Sequence, residues 1–104
     1  MKADFYEASE KLLEDRLESL RTLTFDEVQA LPETSDHEVT LAGYRCHLTE
    51  FAQTLVKGKL LLTIQVAKPE WFGLCALVQE RGLIFTDDGQ VREATLQELI
   101  ESGG

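Results

Sequence analysis

The sequence predicts an α+β domain: an antiparallel sheet of four or five strands, with two N-terminal helices and one C-terminal helix packed on one face. Three observations carry that expectation. Between Lys59 and Lys68 the chain reads Leu-Leu-Leu-Thr-Ile-Gln-Val-Ala, which places Leu60, Leu62, Ile64 and Val66 on one side of an extended chain and Leu61, Thr63, Gln65 and Ala67 on the other. Its Thr, Ile and Val favour β structure, so it is the candidate central strand, with one apolar and one mixed face. The first twenty residues carry apolar side chains at helical spacing. The strand candidates are joined by turns too short for the crossover that a parallel pair needs.

The first helix is expected from Ala3 to Leu20 or Arg21. Phe5, Leu12, Leu13, Leu17 and Leu20 make its apolar stripe, opposite Glu7, Glu10, Lys11, Glu14, Asp15 and Glu18. A second, short helix over Phe25–Ala30 has Thr24 three residues before Glu27, the spacing of a capping box, flanked by Leu23 and Val28 at hydrophobic-staple spacing. It stops before Pro32. Glu33 to Asp36 reads as a polar loop, so the helical part is taken as 1–31 and the sheet as 37–93.

Extended structure is expected from His37. Val39 and Leu41 share one parity and Ala42, Tyr44, Cys46 and Leu48 the other, a switch at Gly43 that predicts a β-bulge. Leu48 to Val56 fits a helix or a strand by spacing. The hairpin reading, with Lys57-Gly58 as its turn, is preferred. After Pro69, Glu70 to Gly73 forms a corner and Leu74 to Gln79 another strand. Glu80-Arg81-Gly82 reads as a turn or bulge. Leu83–Thr86 and Gln90–Glu93 flank Asp87-Asp88-Gly89, a hairpin signal. A last helix over 95–102 starts at Thr95 with Glu98 three residues on, and is expected to bury Leu96, Leu99 and Ile100.

Length and composition frame this as one domain. The chain has 104 residues and a net charge of −9, a size that supports one core. Residues 1–36 hold four basic and ten acidic side chains, residues 37–68 four and two, and residues 69–104 two and seven. Both ends are acidic and the middle is mildly basic. Such a balance argues against a nucleic-acid partner, whose phosphates need a basic patch, and against anionic membrane surfaces. The N-terminus lacks the apolar segment of a signal peptide, and no apolar run reaches transmembrane length, so the expected location is the cytoplasm. Cys46 and Cys75 are accordingly read as thiols, with a contact between neighbouring strands open to them.

The residues that could carry chemistry each have a structural account. Cys46 and His47 are adjacent, which in a strand sends them to opposite faces. His37, the remaining imidazole, stands roughly 30 Å from His47 along an extended strand. No short spacing of a zinc site appears among Asp36, His37, Cys46, His47 and Cys75. Asp87-Asp88 belongs to a turn and Asp26-Glu27 to a helix start. The glycines are scattered singly, without a phosphate loop. Nothing calls for a cofactor, a metal or a catalytic set. Ser102-Gly103-Gly104 reads as the stop and end of a helix.

The functional expectation is a non-catalytic, acidic protein-interaction domain, with a partner that is basic, or with itself. Trp71 and Phe72, at the corner after Pro69, are the first binding candidates, since aromatic residues anchor interfaces. Tyr44 and His47 complete the set. The alternative is a small-molecule binder or enzyme whose pocket lies between sheet and helices, near Tyr44, Cys46, His47 and Trp71. A homodimer through an uncovered sheet face, at Leu61 and Leu77, is the third possibility.

Overall fold

The computed structural model describes residues 2–69 and 75–101, with side chains described within 5–68 and 79–101. Its elements are α1 (Lys2–Leu20), α2 (Phe25–Gln29), β1 (Thr34–Leu41), β2 (Tyr44–Val56), β3 (Lys59–Pro69), β4 (Cys75–Thr86), β5 (Val91–Glu93) and α3 (Leu96–Glu101). The five strands form one antiparallel sheet in chain order, with β3 in the middle. This is the expected α+β class.

The two faces of β3 divide the core. Leu60, Leu62, Ile64 and Val66 join Cys46, Leu48, Leu83 and Phe85 beneath Phe5, Leu13, Leu17 and Leu20 of α1 and Val28 of α2. The α1 stripe advances by four residues from Phe5 to Leu17, which keeps it over the sheet. Ser9 lies within the stripe, fully buried, and its hydroxyl donates to the Tyr6 carbonyl at 3.0 Å. The alternate residues Leu61 and Ile84 form a second cluster with Ala94 and Leu99.

That second cluster revises the placement of α3. The two N-terminal helices share one face as expected, but Leu99 packs on residues of the opposite parity. The physical reason is the register: Leu61 lies across from Ile84, and Ile84 across from Arg92 of β5, which leads through Ala94 and Thr95 into α3. Leu61, expected to be uncovered, is 1% exposed. Leu96 and Ile100, expected to be buried with Leu99, are 72% and 65% exposed. The Leu77 side chain lies outside the described residues.

Local chemistry explains most boundaries. The capping box at α2 is complete, with the Glu27 amide donating to Thr24 Oγ1 at 3.1 Å and the Thr24 amide to Glu27 Oε1 at 2.9 Å. Thr95 and Glu98 repeat it at α3, at 3.2 and 2.9 Å. β1 begins at Thr34, three residues earlier than expected, because Thr34–Asp36 pair with Thr49–Phe51. The parity switch near Gly43 is a turn rather than a bulge. Ala42 and Gly43 both have positive φ, 49° and 83°, as a two-residue type I′ hairpin requires. The turn sets Leu41 opposite Tyr44 and so returns both halves of the pattern to one face.

Lys57-Gly58 is the expected turn between β2 and β3. Gly58 has φ 80°, and a Cβ there would lie 2.5 Å from the Asp87 carboxylate. The β2–β3 and β4–β5 turns thus meet, with the Asp87 amide donating to the Gly58 carbonyl at 3.0 Å. Residues 80–82 are neither turn nor bulge: β4 runs through them, and the register shift falls between Gln79 and Leu77. β3 stands between β2 and β4, so Cys46 and Cys75 are not on neighbouring strands. Two strand spacings come to about 9.6 Å, beyond the ~7 Å that a disulfide spans between Cα atoms.

Candidate interaction surface

The binding residues expected from the sequence do not converge. Tyr44 lies on the main-core face, half-buried, with its ring edge-on to Phe5 at 5.4 Å and the Lys68 ammonium 4.5 Å from its centroid. Lys68 also stands 5.7 Å from the Phe5 ring, so these aromatics already hold a cation of the chain itself. Cys46 is buried beside them. Burial raises its thiol pKa, and the nearby Lys68 charge partly opposes that shift. His47 belongs to the other face, where its Nδ1 lies 3.3 Å from Asp36 Oδ2 and Thr49 Oγ1 donates to Asp36 Oδ1 at 2.9 Å. Trp71 and Phe72 lie outside the described residues.

The hairpin also changes the expected distance between the imidazoles. His37 pairs with Leu48, and Glu38 with His47, so the two histidines sit on adjacent strands one step out of register. One step of register puts them on opposite faces. His37 Nε2 instead meets Ser35 Oγ at 2.9 Å. Among the described residues no group of three or more His, Cys, Asp or Glu side chains could hold a metal ion.

A different constellation emerges from the charges. Each of the five arginines in the sequence is matched to glutamate within the fold. Arg16 binds Glu50 of β2 in fork geometry at 2.7 and 2.9 Å, tying α1 to the sheet. Arg81 of β4 holds Glu93 through two nitrogens, at 2.9 and 2.7 Å, and Glu14 of α1 through the third. Arg21 reaches the same Glu93 at 3.7 Å. Arg92 forks onto Glu98 of α3 at 2.8 and 2.6 Å, and Arg45 lies 3.5 Å from Glu38.

These pairs leave their mark on protonation. The Arg81 hydrogen bond holds the Glu93 carboxyl below the usual glutamate range. Hydrogen bonding to Glu93 first, and to Glu14 after it, pushes the Arg81 guanidinium further up. Arg92 lowers Glu98 to about 2, helped by the Thr95 amide.

The consequence lies on the outward side of α1. Glu7, Glu10, Asp15 and Glu18 are exposed, and none has an ion-pair partner among the described residues. Between α1 and β4 lies an open hollow of about 540 Å³, lined by Glu10, Glu14, Gln79, Glu80 and Arg81. Glu14 and Arg81 satisfy each other there, and Glu80 accepts from Gln65. Glu10 on one wall is left facing solvent. Its neighbourhood suits a cationic side chain with room for a carbon stem, since Lys and Arg lay their stems along a surface.

The acidic stripe of α1 was visible in the sequence. The hollow was not, because it depends on β4 continuing through Arg81 where a turn or bulge was expected. A further groove of about 190 Å³ lies between α2 and β2, lined by Val28, Leu31, Ala52 and Leu60 among others. It is smaller than the ~300–1,000 Å³ of small-molecule sites.

No helix among the described residues is long and apolar enough to cross a membrane. Comparison with family models, with curated proteins and with solved structures finds no match for this chain.

Proposed function

We propose that this protein is a non-catalytic interaction domain that binds a basic protein through the outward face of α1 and the hollow beside β4. One observation carries the reading. The arginines are matched to glutamates inside the fold, while Glu7, Glu10, Asp15 and Glu18 on one helix face form no ion pair among the described residues and outnumber Lys11, the lysine they surround. An excess of one sign of charge on a single face steers an oppositely charged partner and gives register to the encounter. Glu10 at the hollow supplies the place where a Lys or Arg head is received.

The test compares the protein with a variant carrying Glu7→Gln, Glu10→Gln, Asp15→Asn and Glu18→Gln. Both are used to capture proteins from the native host, and each captured protein is then purified and titrated across ionic strength. The expected partner is basic, binds the parent more tightly than the variant, and weakens as salt rises from roughly 0.05 to 0.5 M, where the Debye length falls below ~5 Å. Partners that bind both proteins equally, or whose affinity ignores salt, overturn the reading.

A further inference from the structure

The free edge of β1 has a chemistry that the helical face does not explain. Leu41 and Tyr44 flank a two-residue turn and form the bonded pair next to it. Alternation then directs the backbone groups of Val39, His37, Ser35 and Glu33 toward β2, and the Ala52 amide indeed donates to the Glu33 carbonyl at 3.2 Å. The N–H and C=O groups of Thr34, Asp36, Glu38 and Thr40 therefore face outward. Among the described residues β1 is an edge strand that pairs with β2 alone. This is a ready template for one more strand.

The side chains of these four residues are all exposed and all lie on the face away from α1. Asp36 and Glu38, 54% and 58% exposed, are held toward the interior strand by His47, Thr49 and Arg45. An outer strand would find two carboxylates at alternate positions, each already flanked on its inner side.

That pattern discriminates between occupants. A second copy pairing antiparallel in the same sheet keeps its faces, so residue i meets residue j with i + j even. Centring the pair on Asp36, His37 or Glu38 opposes Asp36 to itself, to Glu38, or Glu38 to itself, and like charges directly opposite destabilise a sheet. Centring it on Val39 overlaps only residues 37–41. We infer that β1 accepts an extended segment of a different protein, one with Lys or Arg at two alternate positions facing Asp36 and Glu38. The inference shares with the proposed function the premise of a basic partner, but it uses another surface.

The probe is a synthetic eight-residue strand of Thr and Val with Lys at its two central alternate positions on one face. Its control carries Glu at both. Amide exchange is followed by NMR on the intact protein. At a peptide concentration about ten times its Kd, exchange at Asp36, Glu38 and Thr40 should slow by about tenfold. The intervening amides, already bonded to β2, should not change.

The Glu control, and the Lys peptide on an Asp36→Asn, Glu38→Gln variant, should give little protection. Equal protection by the Glu peptide, protection confined to other amides, or slow exchange at these positions caused by dimerisation without peptide would each overturn the inference. The α1 variant described above should keep the response to peptide. A parent protein that captures no basic, salt-sensitive partner but keeps the peptide response sinks only the proposed function, and capture of such a partner without a peptide response sinks only the β1 assignment.

Discussion

The two faces of the sheet are built from the same strands and yet differ in how they are sealed. On the face of α1 and α2, thirteen buried residues form one continuous cluster. On the face of α3 there are four, around Leu61, Ile84, Ala94 and Leu99. The first face is covered by a helix of nineteen residues, the second by one of six. The difference shows that burial of an individual side chain and the strength of the layer covering it are separate quantities. Leu61 and Leu62 are both almost completely buried, but one is covered by a layer anchored along its length and the other by a short helix that buries only Leu99.

Adjacent residues on β4 put this contrast to its sharpest test. Phe85 and Ile84 are each 1% exposed and point to opposite faces. Truncating a large core side chain costs its transfer energy plus a cavity that depends on how well the surroundings collapse. Phe85→Ala should therefore cost about 3–5 kcal/mol, while Ile84→Ala should fall near the low end, about 2 kcal/mol, because α3 can settle toward the gap. Urea unfolding of both variants measures this. Equal losses would mean that the second cluster is as rigid as the first.

Two positions on the lesser face come next. Gly82 needs no special backbone, but a Cβ there would lie 2.9 Å from Leu99 Cδ2 and 3.2 Å from the Leu62 carbonyl. The side chain can yield and the backbone cannot, so Gly82→Ala should destabilise by about 1–3 kcal/mol through overpacking. Its signature is faster exchange at the Leu99 amide, which bonds to the Thr95 carbonyl, while α1 amides keep their protection. Thr63 is fully buried on the same face, and its hydroxyl has no hydrogen-bond partner among the described residues. Replacing an unsatisfied group by a methyl of similar shape removes a desolvation penalty, so Thr63→Val should raise stability by about 1 kcal/mol. A loss in that variant would reveal a partner for the hydroxyl.

How legible these faces were follows from the kind of signal each one leaves. The main face was readable because strict alternation from Leu60 to Val66 and the four-residue advance from Phe5 to Leu17 are local patterns with a fixed geometry. The capping boxes at Thr24 and Thr95 were readable for the same reason. The second face was missed, since Leu96, Leu99 and Ile100 are all apolar and nothing local says which of them a six-residue helix will bury.

The Ala42-Gly43 turn was missed because alanine carries no sign of a positive φ. That error also displaced His37 from His47 in the reading. Of the candidate surface, the carboxylates of α1 could be read from the sequence. The pairing of Arg81 with Glu14 and Glu93, which separates matched from unmatched charge, links residues 67 and 12 positions apart and has no local signature.

The two capping boxes give a smaller contrast with the chemistry held constant. Removing a Thr cap costs typically ~1 kcal/mol. Thr24→Ala acts on α2, whose Val28 belongs to the main cluster, and should lower global stability by about that amount. Thr95→Ala acts on α3 and should appear mostly as local opening, with the denaturant midpoint almost unchanged and exchange accelerated within 96–101. Equal shifts in midpoint would show that α3 unfolds only with the whole domain.

Acid offers the mildest probe, and its direction follows from the carboxylates. Glu93 on the α1 face and Glu98 on the α3 face both have folded pKa values below the unfolded one, which is ~4.3 for glutamate. A depressed carboxylate contributes stability that is present above the unfolded pKa and lost as pH falls through the folded pKa. The α3 clamp, with Glu98 at about 2, should therefore persist to lower pH than an ordinary glutamate pair. Because both pairs sit at the surface, each contributes little and less in salt. Titrating unfolding from pH 6 to pH 2 should show the parent weakening below ~4.3, with a shallower slope in Arg81→Gln, whose Glu93 loses the largest cause of its lowered pKa and keeps only the weaker pull of Arg21. If Arg92→Gln flattens the slope as much as Arg81→Gln does, the short helix is coupled to the fold as firmly as the long one.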